Sequence, residues 1–119
     1  MQNFKNLAVW NKAHGLTLDV YKLTKQYPSD ERFQLVSQMR RSASSIPTNI
    51  AEGSGRSSDA DFARFLHNSL GSSTELEYQL ILSKDLNYID VEDWKKLDTK
   101  IGEIRRMLIA FIKKLKASS

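Results

Sequence analysis

The chain has 119 residues, 40 % of them apolar, which suits one folded domain with a modest core and excludes a disordered chain. It holds no cysteine, which excludes a disulfide framework and Cys-ligated zinc, and no apolar run near the roughly 18–20 residues of a membrane span. The net charge of +4 is unevenly spread: residues 57–90 carry two bases against six acids, residues 91–119 carry eight bases against four, and no acid follows Ile104.

The opening, MQNFKNLAVWNK, lacks the apolar stretch of a leader peptide and points to a cytoplasmic protein. Val9, Ala13, Leu16, Val20, Leu23 and Tyr27 then step alternately by four and three, which predicts a helix over 7–27 stopped by Pro28. Val36, Met39, Ala43, Ile46 and Ile50 continue the spacing and predict a second helix over 30–53. Ser29 or Asp30 is its expected cap, Glu31 lies in its first turn, and Gly53 and Gly55 would close it in the left-handed conformation. Pro47 sits inside this stripe, removes one donor and clashes with the Ala43 carbonyl. Ile46 and Ile50 stay in phase across it, so one helix kinked at Pro47 is expected, with Ser44 and Ser45 near enough to serve the freed carbonyl.

Ser58, with Asp61 three residues on, opens a third helix over 58–86 that Asn87 ends. Its apolar residues Phe62, Phe65, Leu66 and Leu70 give way to Gly71-Ser72-Ser73 before Leu76, Leu80 and Ile81. Small residues there would admit Trp10, Trp94 or the kinked part of helix 2. Asp90 and Asp93 open a fourth helix over 91–116, with the stripe Trp94, Leu97, Ile101, Ile104, Leu108, Phe111 and Leu115 and a frayed Ala117-Ser118-Ser119. No segment alternates with period two. Short connections favour antiparallel neighbours, so the expected fold is all-α, an up-down-up-down four-helix bundle in one domain, 1–119.

No catalytic constellation emerges, and no cofactor is implied. A di-iron bundle needs Glu-x-x-His on two helices, yet neither His14 nor His67 has a Glu three residues before it. Arg64 and His67 are too close in sequence for the Arg–His spacing of bundle ribonucleases, and no serine has a histidine partner in context. The expectation is therefore a protein that is not an enzyme and holds no metal.

Arg41, Ser45, Asn49 and Glu52 share one face of helix 2, and Ser72, Glu75 and Gln79 form a comparable line on helix 3, with Glu77 on another face. Facing lines would pair Arg41 or Arg40 with Glu75 or Glu77, and Asn49 with the carbonyl freed by Pro47. Such a line either fixes helix register or a subunit interface, or meets a ligand or nucleic acid, chiefly through Arg40 and Arg56. On helix 4, Lys95, Arg106 and Lys113 fall within about 20° of one another. An arc of this kind, with Lys96, Lys100 and Lys114 on the adjacent solvent face, can neutralise phosphates without reading sequence. No aromatic interleaves with it, so base stacking is not indicated. Met107, Ile109 and Ile112, and Phe4, Leu7 and Trp10, widen the apolar faces beyond one seam and suggest self-association.

The stretch around Tyr27-Pro28, Gln38-Met39-Arg40-Arg41, Ser45-Ile46-Pro47-Thr48-Asn49-Ile50-Ala51-Glu52-Gly53, Phe65-Leu66, Gly71-Ser72 and Glu75-Leu76-Glu77, with Leu7-Ala8-Val9-Trp10 before it, resembles the four-helix-bundle proteins first noticed in intervening sequences of bacterial 23S rRNA genes. A more distant member of that family is the accessory variability determinant of diversity-generating retroelements, a basic homopentameric barrel that binds nucleic acid and assists a reverse transcriptase. The resemblance implies a homopentamer of bundles and RNA or DNA binding. His67-Asn68-Ser69 and Ser42 depart from the family's usual apolar and small residues, which bears on packing of helix 3. Two functions follow as expectations: a nucleic-acid-binding factor working through Arg40, Arg56, Arg105, Arg106, Lys113 and Lys114, or a scaffold for a protein partner such as a reverse transcriptase.

Overall fold

A computed structural model describes residues 3–118. Its elements are a short 3-10 turn at Phe4–Asn6, then α1 (Ala8–Thr24), a second 3-10 turn at Ser29–Glu31, α2 (Leu35–Ser54), α3 (Asp59–Asp85) and α4 (Val91–Ser118). The described residues contain no strand, and the four helices pack into a bundle about 46 Å long. Met39, Ser42 and Ile46 of α2 meet Ser83, Gln79 and Ser69 of α3, so residue numbers rise along one helix as they fall along the next. Glu77 against Arg105 and Phe62 against Phe111 show the same sense between α3 and α4.

The apolar stripes form the core. Leu16 and Val20 of α1, Met39, Ile46 and Ile50 of α2, Leu66, Leu76 and Leu80 of α3, and Ile101, Ile104 and Leu108 of α4 are fully buried. Most of the apolar groups expected to be in excess are absorbed here too. Ile112 joins the core, Leu7, Trp10 and Met107 pack on it, and Phe4 meets Trp10 edge-on at 4.9 Å, leaving Ile109 43 % exposed. A helix wheel drawn for one seam undercounts what α4 buries between two neighbours.

The helix ends follow local chemistry with four corrections, the last at the C-terminus. Ser58 accepts from Asp61 N at 3.1 Å and Asp90 from Asp93 N at 2.8 Å, as their spacing predicts. Asn87 takes φ 62°, with Asn87 N donating to Lys84 O and Tyr88 N to Ser83 O, the paired bonds of a left-handed helix stop. The first correction is α1, which ends at Thr24 rather than Tyr27. Gln26 N and Tyr27 N tighten to i−3 carbonyls, and Tyr27 turns inward against Tyr88 at 5.3 Å. The second is α2, which begins at Leu35. Ser29 and Asp30 form a separate 3-10 turn, and the Glu31 carboxylate receives both Leu35 N at 3.5 Å and Tyr88 Oη at 2.7 Å. The third is the close of α2: no glycine has positive φ, and Gly55 caps at φ −87°. Gly53 is required for space instead, because a Cβ there would lie 2.8 Å from both Phe62 Cδ1 and Phe65 Cβ. At the C-terminus α4 stays helical through Ser118, whose hydroxyl donates to Asp59 Oδ2 at 3.1 Å, while Ser119 lies outside the described residues.

α2 runs through Pro47 as one helix. The carbonyl that Pro47 leaves without an in-helix donor, Ala43 O, lies 3.1 Å from Thr17 Oγ1 of α1, whose one proton it shares with Ala13 O at 2.9 Å. Thus α1, and not Ser44, Ser45 or Asn49, serves it.

Candidate nucleic-acid interface

The polar seam forms in part. Asn49 Nδ2 donates to Ser45 O at 2.8 Å and lies 3.0 Å from Ser45 Oγ, which meets Ser72 Oγ of α3 at 2.8 Å. Asn68 Nδ2 reaches Asn49 Oδ1 at 3.5 Å. Arg41, Glu52 and Glu75 are exposed and stay outside this network. The reason is the rotation of α2. Ser42, not Arg41, points at α3, where its buried hydroxyl meets Gln79 Oε1 at 2.6 Å. Ser69 Oγ donates to Ile46 O at 2.8 Å, so it is helix 2 near Pro47 that approaches the small residues of helix 3. Gly71 lies outside that contact, since a Cβ there would meet nothing within 4 Å. Glu77 pairs with Arg105 at 3.1 Å rather than with Arg40 or Arg41.

The basic candidates separate into two groups. Arg40 holds α1 to α2: its Nε donates to Thr24 Oγ1 at 3.0 Å, its Nη2 to Tyr21 O at 3.2 Å, and its guanidinium lies 4.6 Å from the Tyr21 ring. It sits away from the other five. Arg56, Arg105, Arg106, Lys113 and Lys114 belong to the half of the bundle built from the start of α1, the end of α2, the start of α3 and the end of α4. Residues 3–14, 46–68 and 104–118 make up that half and carry nine bases against three acids, with Lys12 and Arg105 paired to Glu103 and Glu77 just beyond its border, while the other described residues carry nine bases against eleven. Arg106, Lys113 and Lys114 are exposed, and no carboxylate among the described residues pairs with them. Arg56 and Arg64 both lie over Phe65, at 4.6 and 4.5 Å, and share Asp61 at 3.8 and 2.9 Å.

This gathering of charge is what one-helix reasoning missed. Lys5, Lys12 and Arg64 join the helix 4 bases only once the helices are placed beside one another. The signal was present in part, because short connections between antiparallel helices put the start of α1 at the same end of the bundle as the second half of α4, as Lys12 against Glu103 shows. Phe4, Trp10 and His14 also lie in this half, with the Trp10 and His14 rings stacked at 5.1 Å and 6°. Among the described residues no group of three or more His, Cys, Asp or Glu is placed to hold a metal ion, and no helix is long and apolar enough to cross a membrane.

A family model described as 23S rRNA-intervening sequence protein matches residues 5–110. A crystal structure of a protein of unknown function from the S23 ribosomal protein family of Bacteroides thetaiotaomicron is similar to this chain at 30 % identity with a TM-score of 0.80. The match covers 89 % of this chain and 99 % of that one. No curated protein matches.

Proposed function

The chain belongs to the 23S rRNA-intervening sequence protein family, and from that premise we propose that it is a non-catalytic, self-associating cytoplasmic bundle that binds RNA or DNA through phosphates with little sequence preference. The observation that carries this reading is the division of charge: one half of the bundle holds nine bases against three acids, with Arg106, Lys113 and Lys114 unpaired on its surface. Unpaired exposed bases displace the counterions condensed on a polyanion, and they make no demand on base identity. Arg40 takes no part, because its donors already hold α1 to α2.

Affinity for mixed-sequence RNA and DNA, measured against salt, tests the reading. Binding should weaken steeply as salt rises. Lys113→Glu/Lys114→Glu should weaken it at least about tenfold at low salt and flatten the salt slope by about one for each phosphate no longer neutralised. Arg40→Gln should leave the slope unchanged. Undetectable binding of both polymers at low salt overturns the proposal. Nuclease-insensitive capture of a protein partner under those conditions would put the scaffold reading in its place.

A further inference from the structure

The basic arc of α4 has no aromatic of its own, but the fold brings three aromatic rings into the same half from the start of the chain. A cleft of about 380 Å³ opens between the start of α1 and the end of α2. Phe4, Trp10 and His14 line it from one side, and Ser44, Thr48 and Glu52 from the other. Phe4 meets Trp10 edge-on at 4.9 Å, and the Trp10 and His14 rings lie nearly parallel, 5.1 Å apart at 6°. His14 is exposed, so the ring face turned from Trp10 is open to a third flat group. The cleft falls within the size range of small-molecule sites, which begins at about 300 Å³.

Charge around the cleft suits a nucleotide. Lys5 stands beside Phe4, its Nζ 5.9 Å from the ring centroid, and pairs with no carboxylate among the described residues. Lys114 lies about three turns beyond Glu103 on the same face of α4, and Glu103 meets Lys12 of α1 at 2.9 Å. Phosphates of one strand can thus run from α4 over the start of α1 to the cleft. No lysine or arginine lines the cleft itself, and its one carboxylate is Glu52. Glu52 is exposed and makes no salt bridge, although nine bases share its half of the bundle. A carboxylate repels phosphate and only accepts hydrogen bonds, so it suits an edge that carries N–H groups. Guanine alone among the four bases carries two adjacent donors, N1–H and N2–H, on its pairing edge, and in a duplex that edge is taken by cytosine. Lys5 at the mouth disfavours the other N–H-rich ligand, a cationic amine.

We infer that an unpaired guanine of a bound single strand lodges in this cleft, its ring continuing the Trp10–His14 stack and its N1 and N2 donating to the Glu52 carboxylate. The inference rests on the phosphate-binding reading above and narrows its target to single strands that contain guanine. Phosphate contacts supply affinity to any strand, and the cleft adds a preference for one base within it.

Fluorescence anisotropy with short labelled oligouridylates at one salt concentration tests this on the intact chain. A strand with a single central guanosine should bind at least about fivefold more tightly than the all-uridine strand of the same length and charge. The matching oligothymidylates, with and without one deoxyguanosine, show whether RNA or DNA is the better source of the base. His14→Ala and Glu52→Gln should each remove the guanine advantage and leave the salt slope of the all-uridine strand unchanged. Both side chains are exposed, and thermal melts should show both variants folded. Equal affinity for strands with and without guanine, in RNA and in DNA, overturns the cleft and leaves the phosphate reading standing. Binding of neither strand overturns both. A guanine advantage that survives the two substitutions places the base elsewhere and overturns the inference. If His14→Ala lowers the mass on light scattering and keeps the guanine advantage, a second copy fills the cleft and the inference falls.

Discussion

The seam between α1 and α4 joins two four-three apolar stripes, whereas the seam between α2 and α3 joins such a stripe to one interrupted by small polar residues, and the two differ in kind. Between α2 and α3 the backbones come close: Gly53 leaves no space for a Cβ against Phe62 and Phe65, and buried serines bond across at 2.6 and 2.8 Å. Between α1 and α4 two surface clefts of about 330 and 240 Å³ follow the seam, and the polar links are the exposed pairs Lys12–Glu103 at 2.9 Å and Lys100–Asp19 at 2.5 Å. Periodicity decides which face a helix buries. The size of the residues beside the stripe decides how near the neighbour comes.

The strongest way to break this contrast is to force the close seam apart. Gly53→Leu should cost about 3 kcal/mol or more in denaturant unfolding, because Phe65 Cβ is anchored to the backbone and cannot swing away. Ser42→Ala leaves the buried Gln79 oxygen without its donor and should cost about 1–3 kcal/mol by the same measurement. At the open seam Asp19→Ala should cost less than about 1 kcal/mol, and the difference from wild type should vanish in molar salt, since an exposed pair is screened. A cost for Asp19→Ala as large as that for Ser42→Ala would erase the distinction.

The smallest effect concerns the loops at the end of both seams. The Glu31 carboxylate, as hydrogen-bond acceptor of Tyr88, raises that phenol above the ordinary 10.0, and burial raises Tyr27, with the nearby Ser83 hydroxyl pulling the other way. Tyr27 Oη has no partner within hydrogen-bond geometry, so burial dominates there. Raised values place the phenols' stability contribution fully below pH 10.0 and remove it as pH climbs through the folded values. Melting temperatures should therefore drop from about pH 9 to about pH 11, and by less in Tyr88→Phe.

How much of this was legible depended on the range of the interaction. The stripes, the Ser58 and Asp90 caps and the Asn87 stop are local patterns, and a single sequence carries them. The start of α2 was not, because Glu31 answers to Tyr88, 57 residues away. Gly53 was correctly a special position for the wrong reason: its neighbour comes from α3, not from its own turn. The polar line on α2 was half right. Ser45 and Asn49 do meet α3, whereas Arg41 and Glu52 need the rotation of the helix about its axis, which a wheel of one helix does not contain. Arg40 and Arg106 look alike in the sequence, and only the fold shows that Thr24 and Tyr21 hold two donors of Arg40 while Arg106 stands exposed.

The bond from Thr17 to Ala43 has a consequence beyond satisfying one carbonyl. A four-three stripe repeats, so α1 displaced by about seven residues along α2 would still offer apolar groups to apolar groups. Pro47 removes that degeneracy: it deprives Ala43 O of its donor in the helix, and the Thr17 hydroxyl lies opposite that oxygen. A slipped α1 would leave that oxygen buried and unanswered, at about 1–3 kcal/mol. The proline thus acts as a notch and the threonine as its key, giving two interchangeable surfaces a single address.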